Sequence, residues 1–260
     1  MPSVRELGLA RKGEGPFADR WWLPGAKGRA ERTALLRAAL DGLWERALRE
    51  ARPLGDGKGG GGAWTASAAG SATLGAVGSL SRGELGPLSD LDLVVVWDGP
   101  GWSEARREGL ARALWYPVWD AGFDLDQSFR SLAECRRIAS RDLPAAVGLL
   151  SLAHVAGSAD LADRAAAAVL ADWRAAARRR LPDLAESTAV RGRVCGHVAY
   201  RLEPDLKEAR GGLRDAVTLD ALAASWLTDR PHGRAGAELE RSRRHLLDVR
   251  DALQRTSGRP

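Results

Sequence analysis

Apolar positions recur at helical spacing from Glu31 to Glu50, where Leu35, Leu36, Leu40, Leu43, Ala47 and Leu48 fall along one face. Pro53 ends that helix. The glycine-rich run Gly55 to Gly62 then predicts a flexible loop. From there the pattern changes to short apolar runs. Ala72 to Val77 predicts a strand that stops at Gly78, and Leu91 to Trp97 predicts a second. The second is apolar throughout after Asp92, the pattern of a strand covered on both faces. Ser103 to Ala121 reads as a helix with Ser103 as its N-cap, and Phe123 to Asp126 as a short third strand. Beyond residue 131 only helical spacing is visible, over roughly 131–141, 144–156, 158–180, 187–201, 213–228 and 236–255. Residues 1–27 are rich in Gly, Pro and charge, with Trp21-Trp22 as the one apolar anchor, and predict a flexible N-terminal arm. The sum is an α+β chain: a small mixed β-sheet core flanked by helices over 28–142, followed by an all-helical domain over 143–260.

Composition narrows the chemistry only slightly. With 260 residues, 45% of them apolar, the chain can bury a sizeable core. Its formal net charge of +5 favours an anionic ligand such as a nucleotide. Cys135 and Cys195 stand far apart without a CxxC pair, so free thiols are expected rather than a disulfide framework. Arg5, Arg11 and Lys12 interrupt any signal-peptide core, and no apolar run is long enough to span a membrane, so the expected location is cytoplasmic. The four histidines show no metal-ligand spacing, and the tryptophans are not regularly interleaved with basic residues, which counts against a nucleic-acid partner.

The chemistry concentrates in Gly78 to Val96. Asp90 and Asp92 enter the second strand on the same face, about 7 Å apart along the backbone. Two like charges opening an apolar strand repel one another unless a cation offsets them. A pair of divalent ions about 3.5–4 Å apart, held by such carboxylates, clamps a transferring phosphoryl group. Gly78-Ser79, at the end of the preceding strand, offers close backbone approach, amides and a hydroxyl to a phosphate. A third carboxylate would complete the site; Asp124 and Asp126 both qualify, and Asp124, flanked by Phe123 and Leu125, is preferred. A second cationic segment places Lys207, Arg210 and Arg214 around Gly211-Gly212 at the start of a helix, a cradle suited to a triphosphate. The run Gly57-Lys58-Gly59 lacks the Ser or Thr that a phosphate-binding P-loop needs after its Lys.

Gly78-Ser79 followed by Asp90-Leu91-Asp92-Leu93 resembles the signature of the DNA polymerase β-like nucleotidyltransferase superfamily. The longer string Arg82-Gly83-Glu84-Leu85-Gly86-Pro87-Leu88-Ser89-Asp90-Leu91-Asp92-Leu93 is similar to the N-terminal region of bacterial PII uridylyltransferases. Ser128-Phe129-Arg130-Ser131-Leu132-Ala133-Glu134-Cys135, Lys207-Glu208 with Gly211-Gly212-Leu213-Arg214-Asp215, and Leu247-Asp248-Val249-Arg250-Asp251 resemble further segments of that family in the same order. Departures stand at Ser79, Ser81, Asp126-Gln127 and Ala209-Arg210. The resemblance spans roughly residues 70–258.

The resemblance implies transfer of UMP, or AMP, from a nucleoside triphosphate to a tyrosine of the PII signalling protein. Asp90, Asp92 and Asp124 would hold two Mg²⁺, and Gly78, Ser79, Arg82, Lys207 and Arg214 would bind the triphosphate. The family's phosphohydrolase and ACT domains have no counterpart in these 260 residues, so removal of the nucleotide and a glutamine response are not expected of them. A superfamily enzyme with a small-molecule or RNA-end acceptor, and a non-catalytic nucleotide-binding module, are the alternatives.

Overall fold

The computed structural model describes residues 1–51 and 71–259; Pro53 and the glycine-rich run Gly55 to Gly62 lie outside the described residues. Its centre is a four-stranded mixed sheet in the order β3-β2-β1-β4, formed by β1 (Ala72–Ala76), β2 (Leu91–Trp97), β3 (Leu125–Ser131) and β4 (Ala153–Gly157). β2 runs antiparallel to β1 and parallel to β3, and β4 is antiparallel to β1. The expected α+β class is therefore the observed one.

β2 is buried on both faces, as its apolar run requires. Leu91, Leu93 and Val95 join one core with α1 (Val4–Arg11), α2 (Ala18–Trp21), α3 (Gly25–Glu50) and α5 (Glu104–Asp120). Val94 and Val96 join another with α6 (Leu132–Arg141), α7 (Leu143–Leu149) and α8 (Ala159–Cys195). Asp92 belongs by alternation to the Val94 face, at the strand end where that second core thins out. Between β1 and β2 lies the single turn of helix α4 (Gly78–Ser81). The remaining α-helices among the described residues are α9 (Leu213–Ala224) and α10 (Gly233–Ser257).

Three local expectations are corrected. The first 27 residues are not a loose arm. α1 begins with a reciprocal capping box between Ser3 and Glu6, buries Val4, Leu7 and Ala10, and is followed by α2 with Trp21 only 1% exposed. The i, i+3 spacing of Val4, Leu7 and Ala10 supplies that face amid the glycine and charge around it. Second, residues 153–157 form an edge strand rather than the end of a helix. A run as short as Ala-His-Val-Ala-Gly has no decisive period, so pairing with β1 determines its state. Third, the helices read at 158–180 and 187–201 are one helix, α8, which carries Pro182 within it and ends at Gly196, with φ of 73°.

Candidate active site

The loop from Glu84 to Leu88 leads the chain into Asp90, and side chains from both ends of the protein fix its backbone. Arg250 of α10 donates to the Glu84 carbonyl at 2.6 Å, and Arg32 of α3 donates to that of Leu85 at 2.8 Å. Trp21 Nε1 donates to the Pro87 carbonyl at 3.0 Å, and Arg11 to that of Leu88 at 3.0 Å. Gln254 accepts from the Leu88 amide at 3.2 Å. Behind the loop, Asp251 receives both Arg29 and Arg32 at 3.0 Å, and all three side chains are nearly fully buried. Unpaired buried backbone groups are costly, so these bonds specify where Asp90 enters the sheet.

Gly78 explains itself by geometry. Its φ is 65°, and a Cβ at this position would run into the carboxylate of Asp92. The Val77 amide donates to the Asp92 carbonyl at 3.0 Å, which ties the turn to β2. Ser79 follows with its Oγ buried and without a hydrogen-bond partner among the described residues. A buried hydroxyl left open at a glycine turn fits an acceptor group supplied by a ligand.

Asp92 and Asp126 occupy the same rung of the parallel β2–β3 pair, and Asp90 lies two residues before Asp92. Burial raises the Asp92 carboxyl to a pKa of about 6, and the negative charges of Asp90 and Asp126 push in the same direction. Lys207 and Arg82 oppose that rise, so both cations lie within electrostatic reach of Asp92. Among the described residues, none of these three carboxylates has a hydrogen bond or ion pair through its side chain. No group of three His, Cys, Asp or Glu side chains is already drawn into a metal cage among the described residues. Asp90 and Asp126 are exposed, and two unpaired carboxylates on one rung with a third two residues before it are a donor set suited to a hard divalent cation.

The carbonyl of Asp124 accepts from the Leu91 amide at 2.8 Å, but its side chain has a different partner. Asp124 precedes β3, its side chain is 72% exposed, and Arg11 lies 3.4 Å from its carboxylate. The sequence qualifies both Asp124 and Asp126 and prefers Asp124; the observed register of β2 and β3 puts Asp126 beside Asp92. Arg214 is likewise engaged elsewhere, donating to Glu208 at 2.8 Å. The Gly-Gly-Leu-Arg-Asp block holds its own loop. Asp215 accepts from the Gly211 amide at 2.8 Å and pairs with Arg191 at 2.6 Å, while the Arg214 amide donates to the Lys207 carbonyl at 2.9 Å. Lys207 stands on that closed loop, within electrostatic reach of Asp92. No local pattern singles out Arg11, because its partners Leu88, Gly122 and Asp124 are distant in the chain; Glu84 stands in the motif string beside its partner Arg82, but its contact with Arg243 is equally distant.

Residues 66–146 match the nucleotidyltransferase domain family, and this segment contains Gly78, Asp90, Asp92 and Asp126. The chain carries a nucleotidyltransferase domain. It is similar to the bifunctional uridylyltransferase/uridylyl-removing enzyme of Streptomyces coelicolor, with 51% identity over 171 residues, 66% of this chain and 20% of that protein. The enzyme of the same name from Mycobacterium tuberculosis is 46% identical over 176 residues, 66% of this chain and 21% of its own length. That from Corynebacterium glutamicum is 39% identical over 165 residues, 64% of this chain and 22% of its own length. The chain thus spans about a fifth of the length of the curated relatives it matches. Its nucleotidyltransferase domain shares its ancestry with these bacterial enzymes. No helix among the described residues is long and apolar enough to cross a membrane.

Proposed function

We propose that this chain transfers a nucleoside monophosphate, UMP or AMP, from a nucleoside triphosphate to a tyrosine hydroxyl of the PII signalling protein in the bacterial cytoplasm. The observation that carries the proposal is the contact of the Gly78 turn with Asp92, beside Asp126 on the next strand. It sets a glycine turn against carboxylates that have no side-chain partner among the described residues. The similarity to enzymes named uridylyltransferases supports uridylyl transfer as the reaction type; the PII acceptor rests on the motif resemblance.

In this reading Asp90, Asp92 and Asp126 hold two Mg²⁺, and Asp126 takes the place that the sequence alone assigns to Asp124. When bound, these ions neutralise phosphate charge and lower the pKa of a coordinated hydroxyl. The remaining work falls to the chain. Gly78 admits the β- and γ-phosphates to the backbone, and Ser79 Oγ donates to them. Arg82 and Lys207 neutralise their charge. Arg214 reaches the phosphates only by exchanging Glu208 for them. The tyrosine oxygen bonds to the α-phosphorus, the bond from that phosphorus to the bridging oxygen breaks, and pyrophosphate leaves. The hydroxyl proton, with an unperturbed pKa of about 10, passes to a carboxylate of the cluster.

The test is the intact mass of a PII protein after incubation with this chain, Mg²⁺ and either UTP or ATP, alongside an Asp90→Asn/Asp92→Asn variant. A gain of one UMP or AMP with the wild type and none with the variant is expected. Triphosphate binding without any mass gain would direct the search to another acceptor or to a binding module.

A further inference from the structure

Glu84 is a bridge between the phosphate arm and the C-terminal helices. Its Oε2 accepts from Arg82 Nε at 2.7 Å and its Oε1 from Arg243 Nε of α10 at 2.6 Å. Arg243 in turn donates to Asp220 of α9 at 3.0 Å. The Glu84 and Arg243 side chains are only 13% and 11% exposed, so the pair is sheltered from solvent. Arg82 gives only its Nε to this contact; its two terminal nitrogens have no acceptor among the described residues. One edge of the guanidinium is therefore fixed while its terminal nitrogens remain free to take an acceptor, and Arg82 lies within electrostatic reach of Asp92.

From this geometry we infer that Glu84 and Arg243 are positioning residues that hold Arg82 in the orientation that binds the triphosphate, so that α9 and α10 set the affinity of a site built on the sheet. The inference rests on reading Arg82 and Asp92 as parts of the triphosphate site. Its logic is preorganisation. A free arginine loses rotamer entropy when it clamps a phosphate, whereas one already anchored through Nε loses less. A neutral residue at position 84 leaves Arg82 to search, and a position 243 without its fork leaves Glu84 to search in turn. Lys at 243 keeps the charge but not the paired donors that reach Glu84 and Asp220 together.

The experiment is calorimetric titration of the full chain with a non-hydrolysable nucleoside triphosphate and Mg²⁺, which needs no acceptor protein. Wild type, Glu84→Gln, Arg82→Met, the double variant and Arg243→Lys are compared, each with its melting temperature. Glu84→Gln is expected to weaken triphosphate binding about tenfold and Arg243→Lys severalfold. Once Arg82 is Met, Glu84→Gln should cost nothing further, a non-additivity that a merely structural role would not produce. Additive losses, or wild-type affinity in Glu84→Gln, would overturn the inference. If Glu84→Gln does not fold, the same cycle between Arg82→Met and Arg243→Lys decides. If the wild type itself binds no triphosphate, the site reading falls, and the inference with it.

Discussion

Asp92 and Asp126 face one another across the parallel β2–β3 pair, while Asp124, two residues earlier, meets Arg11 at 3.4 Å. The shared rung predicts different roles for the two candidate carboxylates. Asp126→Asn should lower nucleotidyl transfer by about 10²–10³-fold, the scale of losing a group that stabilises transition-state charge. Asp124→Asn should stay within a few-fold of wild type, because an ion pair this exposed contributes little. Initial rates of pyrophosphate release for the two variants check this; equal losses would return Asp124 to the site.

Asp92 predicts a conflict between stability and activity. Its pKa rises from 3.8 to about 6 because burial and the Asp90 and Asp126 charges oppose ionisation. The sign follows from proton binding. Between the unfolded and folded pKa values the folded chain holds a proton that the unfolded chain has lost, so stability falls as pH rises from about 4 to about 6 and stays reduced above. In metal-free buffer at pH 7, Asp92→Asn should therefore gain about 1–2 kcal/mol after allowance for solvent screening, and lose activity. Mg²⁺ should raise the melting temperature of the wild type and leave that of the variant unmoved. A less stable variant in metal-free buffer would count against the electrostatic account.

Gly78→Ala isolates the turn. The added methyl meets the Asp92 carboxylate, and the φ of 65° disfavours any side chain, so a stability cost of about 1–3 kcal/mol is expected. Triphosphate binding should fail even where the variant folds, because the methyl occupies the approach to the carboxylates. Gly83→Ala is the control. It shares a positive φ of 69°, but a methyl there would meet nothing within 4 Å, so it should carry the strain without the loss of binding.

The sequence made these carboxylates visible because strand period and apolar run coincide. Asp90 and Asp92 are two apart, and Leu91 to Trp97 has no reading other than a buried segment. The choice between Asp124 and Asp126 turned on where β3 begins, and a strand boundary is poorly marked when Phe123 to Asp126 alternates as well as Leu125 to Ser131 does. β4 was hidden for a related reason: its five residues are decided by pairing with β1. The side chains that fix the Glu84–Leu88 loop come from residues 11, 21, 32, 250 and 254. No local pattern encodes contacts of that sequence separation.

Arg11 provides the sharpest test of whether the N-terminal segment serves the site. It donates to the carbonyls of Leu88, at 3.0 Å, and Gly122, at 3.1 Å, and lies over the Phe123 ring at 5.2 Å. One side chain thus joins the loops that lead into β2 and β3, and with them the carboxylates at Asp90 and Asp126. Its bonds to carbonyls should outweigh its ion pair, since its side chain is 9% exposed and that of Asp124 is 72% exposed. Arg11→Met should cost about 1–2 kcal/mol, a fall of several degrees in melting temperature, and should weaken Mg²⁺-dependent triphosphate binding. Asp124→Asn should do neither. If Arg11→Met lowers the melting temperature while triphosphate affinity is unchanged well below that temperature, the segment supports the fold alone and the carboxylates are positioned without it.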